Sequence, residues 1–229
     1  MSPRFAIYWA PERATQLWRL GSATIGYDAA TGQEPDPHPP TGVPAEVWRS
    51  WTAEPRRYGF HATLKAPFHL EPGHGEPDVI RVAERLAAEL APVRLPRLVV
   101  RLLGPFAALV PEAPAPGLAA LEAACVRAFE PLRAPVGAAD RARRLATGLS
   151  ERQAEYLDRY GYPYVLDEFR LHLTLTGPLE PGIREPVRAA LAERFREPCA
   201  GAVIEALNVF RQDSRSERFR IVARAPLRG

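Results

Sequence analysis

The chain has 229 residues, 46% of them apolar and 25% charged, which suits an ordinary globular protein with one large domain or two small lobes. No stretch approaches the roughly 20 apolar residues of a membrane span, and two widely separated cysteines exclude a disulfide framework. The net charge of +3 favours an anionic ligand without requiring nucleic acid. We expect a soluble, cytoplasmic monomer with buried free thiols at Cys125 and Cys199.

The first half of the chain predicts short strands and amphipathic helices separated by proline and glycine. Apolar residues recur at helical spacing after Asp78, which we expect to cap that helix. Gly104 and Pro105 divide two apolar runs and so predict a hairpin. In chain order the predicted elements are a strand over 5–9, a helix over 12–20, a loop over 31–44, a short helix over 44–51, a helix over 78–90, and strands over 98–103 and 106–110.

The second half repeats this plan after a helical insert at about 117–160. The insert's polar faces are dense in arginine and glutamate, so we expect its helices to pack on the outside. A helix over 183–195 and a hairpin over 203–225 then follow a second motif strand. The recurring unit of motif strand, helix and hairpin predicts an internal duplication. We expect one domain over 1–229, with lobe motifs around 57–110 and 165–225.

Two segments at the start of these units are copies of one pattern. The segments from His61 to Phe68 and from His172 to Leu179 both read His-x-Thr-Leu-x-x-Pro-apolar. A strand turns alternate side chains to the same face, so each histidine shares a face with the threonine two residues later. The catalytic candidates are His61 and His172, and the phosphate-binding candidates are Thr63 and Thr174.

Paired imidazoles suit the cleavage of a phosphodiester. One imidazole takes a proton from the attacking oxygen and the other gives a proton to the leaving oxygen, and histidine exists in either state near neutral pH. The threonine hydroxyls can donate to the non-bridging phosphate oxygens, where negative charge develops. The pseudo-symmetry of the motifs leaves open which histidine is the acid and which is the base.

Three further residues are candidates for substrate binding. Lys65, the single lysine of the chain, lies two residues past Thr63, and Arg170 lies two residues before His172. By strand alternation both would point into the cleft and bind a second anionic group. Tyr8 is expected at the cleft rim, together with Tyr27.

A pair of His-x-[Thr/Ser] motifs is the hallmark of the two-histidine phosphoesterase superfamily, which this chain resembles at His61, Thr63, His172 and Thr174. The resemblance implies an α+β fold of two pseudo-symmetric lobes, each with an antiparallel sheet and flanking helices, and an active-site cleft between them. The contexts 57–68 and 169–177 are most similar to the branch encoded in phosphonate-utilisation operons. That branch implies a cyclic ribose phosphate, or another small phosphodiester of carbon–phosphorus lyase metabolism, as substrate.

We therefore expect a metal-independent phosphodiesterase with no cofactor and a small phosphorylated substrate. No third ligand accompanies the two histidines at metal-binding spacing. One alternative is an enzyme that acts on RNA with 2′,3′-cyclic ends, although the arginines are not gathered into one basic run. The other alternative is a non-catalytic module that binds a phosphorylated metabolite, for which two intact histidines would be unnecessary.

Overall fold

The computed structural model describes residues 2–229, with eight α-helices and nine β-strands in that range. The strands are β1 (Arg4–Trp9), β2 (Ala62–His69), β3 (Val93–Arg94), β4 (Leu98–Leu103), β5 (Phe106–Pro111), β6 (Leu173–Thr174), β7 (Val203–Ile204), β8 (Ala206–Gln212) and β9 (Arg220–Pro226). The helices are α1 (Gln16–Ile25), α2 (Ala45–Trp51), α3 (Ala53–Arg56), α4 (Glu76–Glu89), α5 (Leu118–Ala128), α6 (Ala138–Leu145), α7 (Glu151–Tyr160) and α8 (Pro181–Arg194).

The predicted α+β class with antiparallel pairing is confirmed. Seven strands form one sheet in the order β4-β5-β6-β2-β1-β8-β9, and β3 pairs with β7 in a separate small ladder. The sheet has two halves, β4-β5-β6 and β2-β1-β8-β9. They meet at a single residue pair, Ala62 with Leu173, between the two motif strands.

Each hairpin joins the half that contains the other motif strand. The β4-β5 hairpin follows the first motif in the chain, but it pairs with β6, where Ala108 lies opposite Thr174. The β8-β9 hairpin follows the second motif, but β8 pairs with β1 beside β2. Each half of the sheet therefore contains strands from both sequence repeats.

One large hydrophobic core binds the helices to this sheet. Helix α4 packs on β8 and β9, helix α8 packs on β4 and β5, and helix α5 packs against β2. We expected the insert helices to pack on the outside: α6 has no buried residue, whereas α5 and α7 each expose one face and bury the other. Leu121 and Cys125 of α5 are buried in the main core, because the apolar stripe of this helix is as continuous as its polar one.

Most predicted element boundaries agree with the structure, but helices α1 and α4 start at other residues than predicted. The helix predicted from residue 12 begins at Gln16, where the Thr15 side chain accepts a hydrogen bond from the Trp18 amide. Asp78 is not the N-cap of α4. Gly75 is the N-cap, and the backbone amide of Gly75 donates a hydrogen bond to the Asp78 carboxylate at 2.8 Å. Both cysteines are free and buried, as expected. Within residues 2–229, no helix has the length and apolar character needed to cross a bilayer.

Candidate active site

The two motif strands bring their histidines and threonines together on one face of the sheet. In an antiparallel pair the residues run in opposite directions, so the pairing of Ala62 with Leu173 sets His61 beside Thr174 and Thr63 beside His172. The two histidines occupy diagonal corners of this square. Diagonal cross-strand positions are about 7–8 Å apart, so the two histidine side chains start from neighbouring points on one face.

Both imidazoles are oriented by the same local contact. Nδ1 of His61 lies 2.8 Å from the carbonyl of Gly59, and Nδ1 of His172 lies 2.8 Å from the carbonyl of Arg170. A carbonyl only accepts, so each Nδ1 carries a proton and donates it, which leaves each Nε2 as the atom that exchanges a proton. Gly59 has a φ of +83°, a left-handed conformation that glycine adopts freely.

His61 is packed among aromatic rings. Tyr8 stacks on it with ring centroids 3.8 Å apart, and the rings of Phe210 and Tyr58 lie 6.0 and 6.2 Å away. Burial lowers the pKa of His61 from 6.5 to about 4; the hydrogen bond to Gly59 raises it, and nearby His172 lowers it further. His61 is therefore neutral at pH 7, with Nε2 able to accept a proton.

A cavity of about 220 Å³ opens beside this square of residues. Thr63 and His172 both line it, which places the two motifs in one pocket. Its outer wall is aromatic and includes Tyr162, Tyr164 and Phe169. The hydroxyl of Thr63 lies 3.3 Å from Nε2 of His61, so the threonine also contacts this imidazole.

A buried carboxylate forms the floor of this cavity. Glu122 of α5 is 1% exposed, and its oxygens accept hydrogen bonds from the amide of Leu166 at 3.1 and 3.3 Å. Burial raises the pKa of Glu122 to about 7, against the opposing effects of this amide and of nearby Lys65 and Arg127. Near neutral pH the Glu122 carboxyl group can therefore either accept a hydrogen bond from a hydroxyl of a bound molecule or donate one to it.

The expectation that Lys65 shares the face of His61 is wrong. Thr63 pairs with Tyr8 but Lys65 pairs with Ile7, the adjacent residue of β1, so Leu64 is an extra residue in a β-bulge. The bulge interrupts the alternation and turns Lys65 to the opposite face from Thr63. Its ammonium is buried and lies 2.6 Å from a carboxylate oxygen of Glu130. The lysine is held within the fold and is not presented to the cavity.

The other predicted residues are placed as follows. Arg170 is exposed at the cavity wall, where one guanidinium nitrogen donates to the carbonyls of Asp167 and Phe169 and the others remain available. Tyr8 reaches the site, but its ring is 1% exposed beneath His61, so it supports the imidazole instead of forming a rim. Tyr27 does not reach it; its hydroxyl donates to the carbonyl of Phe219.

The cavity wall includes residues to which the sequence analysis assigned no role. Glu122 falls on the apolar stripe of α5, four residues before Val126, and that position was the available signal. The aromatic run Tyr160-Gly-Tyr-Pro-Tyr164, which ends eight residues before His172, was a second signal. Within residues 2–229, no three histidine, cysteine or acidic side chains lie close enough together to hold a metal ion.

The fold and this site define an α+β protein with a paired histidine–threonine centre between two halves of an antiparallel sheet. Residues 63–220 match the family described as protein of unknown function (DUF1045), and the chain belongs to that family.

Two curated relatives are similar over nearly the whole chain. One is the ribose 1,5-bisphosphate phosphokinase PhnN of Janthinobacterium sp. (strain Marseille), 33% identical over 99% of this chain and 51% of the relative. The other is the protein of the same name from Laribacter hongkongensis (strain HLHK9), 36% identical over 95% of this chain and 50% of the relative. The chain thus spans about half the length of these relatives. The crystal structure of TT0787 of Thermus thermophilus aligns over 99% of this chain and 98% of its own, with 16% identity and a TM-score of 0.48.

Proposed function

We propose that the chain is a two-histidine phosphoesterase that hydrolyses a small phosphodiester, in the simplest case a cyclic phosphate on ribose. The observation that carries this proposal is the diagonal arrangement of His61 and His172, each with Nδ1 tied to a carbonyl two residues earlier. The hydroxyl of Thr63 lies 3.3 Å from Nε2 of His61, and Thr63 lines one cavity together with His172. A pair of proton-transfer groups on opposite sides of one phosphorus is what hydrolysis of a diester requires.

His61 is assigned as the general base. Its pKa of about 4 keeps it neutral at pH 7, so Nε2 removes a proton from water as the water oxygen attacks phosphorus. The bond from phosphorus to the leaving oxygen then breaks, and His172, the half-exposed partner, donates its proton to that oxygen. For a cyclic diester the product is one molecule that carries both the freed hydroxyl and a phosphate monoester. His61 then releases its proton to solvent and His172 takes one up, which restores both side chains before the next turnover.

The threonines would hold the phosphate through the reaction. Thr63 and Thr174 occupy the other two corners of the square, so their hydroxyls can donate to the two non-bridging oxygens. Those oxygens gain charge in the transition state, and each donor placed there is worth about 10²–10³ in rate where it has been removed in other enzymes. The mechanism uses side chains alone and is proposed to be independent of metal ions.

The names of the relatives support a ribose phosphate as the substrate class. They are named for a kinase reaction on ribose 1,5-bisphosphate, and this chain has no G-x-x-x-x-G-K-[Ser/Thr] phosphate-binding loop; its one lysine, Lys65, is buried in β2. We therefore assign it a different step, in which hydrolysis of a cyclic phosphate on ribose 5-phosphate yields a ribose bisphosphate. A place in phosphonate metabolism is part of the same proposal.

The test offers purified, chelator-treated protein three substrates: a cyclic ribose phosphate, a 2′,3′-cyclic nucleotide and a short RNA with a 2′,3′-cyclic end. We expect turnover of the cyclic ribose phosphate, at least about 10³-fold lower in both His61→Gln and His172→Gln. His74→Gln is the matched control, because His74 lies in a turn between glycines and outside the site. Activity that persists in either variant would overturn the acid–base pair. Preference for RNA would support the end-processing alternative, and binding without turnover would support the metabolite-binding module.

A further inference from the structure

A group of cations lies on the site face of the sheet, beyond the aromatic residues around His61. Arg4 is four residues before Tyr8 on β1, so alternation places both on one face. The guanidinium carbon of Arg4 lies 5.4 Å from the ring centroid of Phe219. The ring of Tyr58 stacks on the same phenylalanine at 5.4 Å and lies 6.2 Å from His61. Tyr58 and Phe219 thus lie between the histidine and Arg4.

These cations surround a polar pocket. A cavity of about 330 Å³ is lined by Ser2, Arg4, His69, Gln212, Ser214 and Arg215. No carboxylate lines it among residues 2–229, whereas two guanidinium groups and two hydroxyls do. Arg57 lies at its edge and donates to the carbonyl of Arg215 at 2.6 Å. Guanidinium groups with adjacent hydroxyls are the donor set that binds phosphate.

The charges of this pocket are incompletely neutralised. Arg215 pairs with Asp140 of α6 at 2.7 Å. In the described chain neither Arg4 nor Arg57 has a carboxylate partner; Arg4 donates to the amide oxygen of Gln212, and Arg57 to a backbone carbonyl. The pKa of Arg4 is lowered, first by burial and also by the neighbouring charges of Arg215 and Arg57. Holding like charges together without an anion costs free energy, which a bound anion would recover.

We propose that this basic pocket, with Arg4 and Arg57 as its unneutralised cations, binds a second, non-reacting phosphate group of the diester substrate. The inference rests on the proposed function and refines it: the preferred substrate is a cyclic phosphodiester whose sugar also carries a phosphate monoester. It also assigns to the arginines the anion-binding role that Lys65, buried against Glu130, does not fill.

The first test compares two substrates that differ only in the second phosphate: cyclic ribose phosphates with and without a 5-phosphate. We expect Arg4→Met, which keeps an apolar side chain on Phe219, to lower kcat/KM for the 5-phosphorylated substrate about 10–100-fold, mainly through KM. Turnover of the unphosphorylated substrate should stay within about twofold. Arg57→Ala, at an exposed residue, should act in the same direction. Equal losses for both substrates, or none for either, would overturn the subsite.

The control is Arg85→Ala, at an exposed arginine of α4 away from the site, which should alter neither rate. A second measurement separates the subsite from catalysis. The double variant His61→Gln/His172→Gln is titrated with ribose 5-phosphate, with and without Arg4→Met, by calorimetry. Binding that is weakened at least about tenfold by Arg4→Met supports the pocket even if no diester is hydrolysed. Binding that is unchanged by it overturns the pocket even if diesters are hydrolysed.

Discussion

The protonation of His61 couples the candidate site to the stability of the fold. Burial lowers the pKa of this imidazole from 6.5 to about 4, so between these values the unfolded chain holds a proton that the folded chain lacks. The contribution to stability is complete above pH 6.5 and is lost as the pH falls towards the folded value. For one group with these two pKa values, the free energy of unfolding drops by about 2 kcal/mol between about pH 7 and about pH 4.5.

Urea unfolding of the wild type and of His61→Gln at these two pH values measures this effect. Other titrating groups contribute equally to both proteins, so subtracting the two pH differences isolates His61. We expect the wild type to lose about 2 kcal/mol more than the variant as the pH is lowered. If the two proteins lose the same free energy within about 0.5 kcal/mol, the imidazole is not desolvated as described, and its assignment as the neutral base fails with it.

Three substitutions test other parts of the site. Gly59→Ala should lower the free energy of unfolding by about 1–2 kcal/mol because the backbone there is left-handed, and by more because the added Cβ would lie 2.6 Å from the Cβ of Ala29. It should also lower kcat by moving the Gly59 carbonyl that orients His61. Thermal unfolding measures the first effect and steady-state kinetics the second. Lys65→Met should lower the free energy of unfolding by about 1–3 kcal/mol, because it removes the buried partner of Glu130, yet leave kcat/KM within about twofold. Thr174→Val, which keeps the side-chain shape and removes the hydroxyl, should lower kcat about 10²–10³-fold with little change in melting temperature.

Each of these has a result that contradicts it. Gly73→Ala is the control for Gly59, since Gly73 also has a positive φ but an added Cβ there meets nothing within 4 Å. If the two alanine variants are equally stable and equally active, close packing at Gly59 is unimportant. A rise in KM for Lys65→Met at unchanged stability would restore the lysine to substrate binding. Full activity in Thr174→Val would remove the hydroxyl from the mechanism.

Local features of the fold were predictable from sequence, and the strand order was not. The strands around Gly104 and Pro105 agree with prediction to within a residue, because a turn flanked by apolar runs is a local signal. The joining of β5 to β6, and of β8 to β1, depends on contacts between residues more than 60 positions apart. The spacing of apolar residues along a short segment carries no information on such pairing. The sequence repeat therefore predicted the recurring strand, helix and hairpin, but not which half of the sheet each hairpin would join.

The site shows the same limit. The histidines and threonines became candidates because their motif recurs, and the pairing of the two motif strands places all four on one face. Lys65 was misplaced because a single extra residue, Leu64, reverses the alternation, and nothing in the local sequence marks that bulge. Arg4 and Arg57 were missed because the sequence of an arginine-rich chain does not show which arginines lack a carboxylate partner. Only the three-dimensional arrangement shows this.

The exchange of hairpins between the halves has a consequence for how the protein is made. Neither half of the sheet is a continuous stretch of chain, so neither can fold completely before the strands of the other repeat have been synthesised. The strand pairs that complete each half join residues far apart in sequence. Folding should therefore be slow and cooperative, without a half-molecule intermediate that holds one finished lobe. The single junction of the motif strands would form only once both halves are in place, so a nascent or truncated polypeptide would not yet bring the two candidate histidines together.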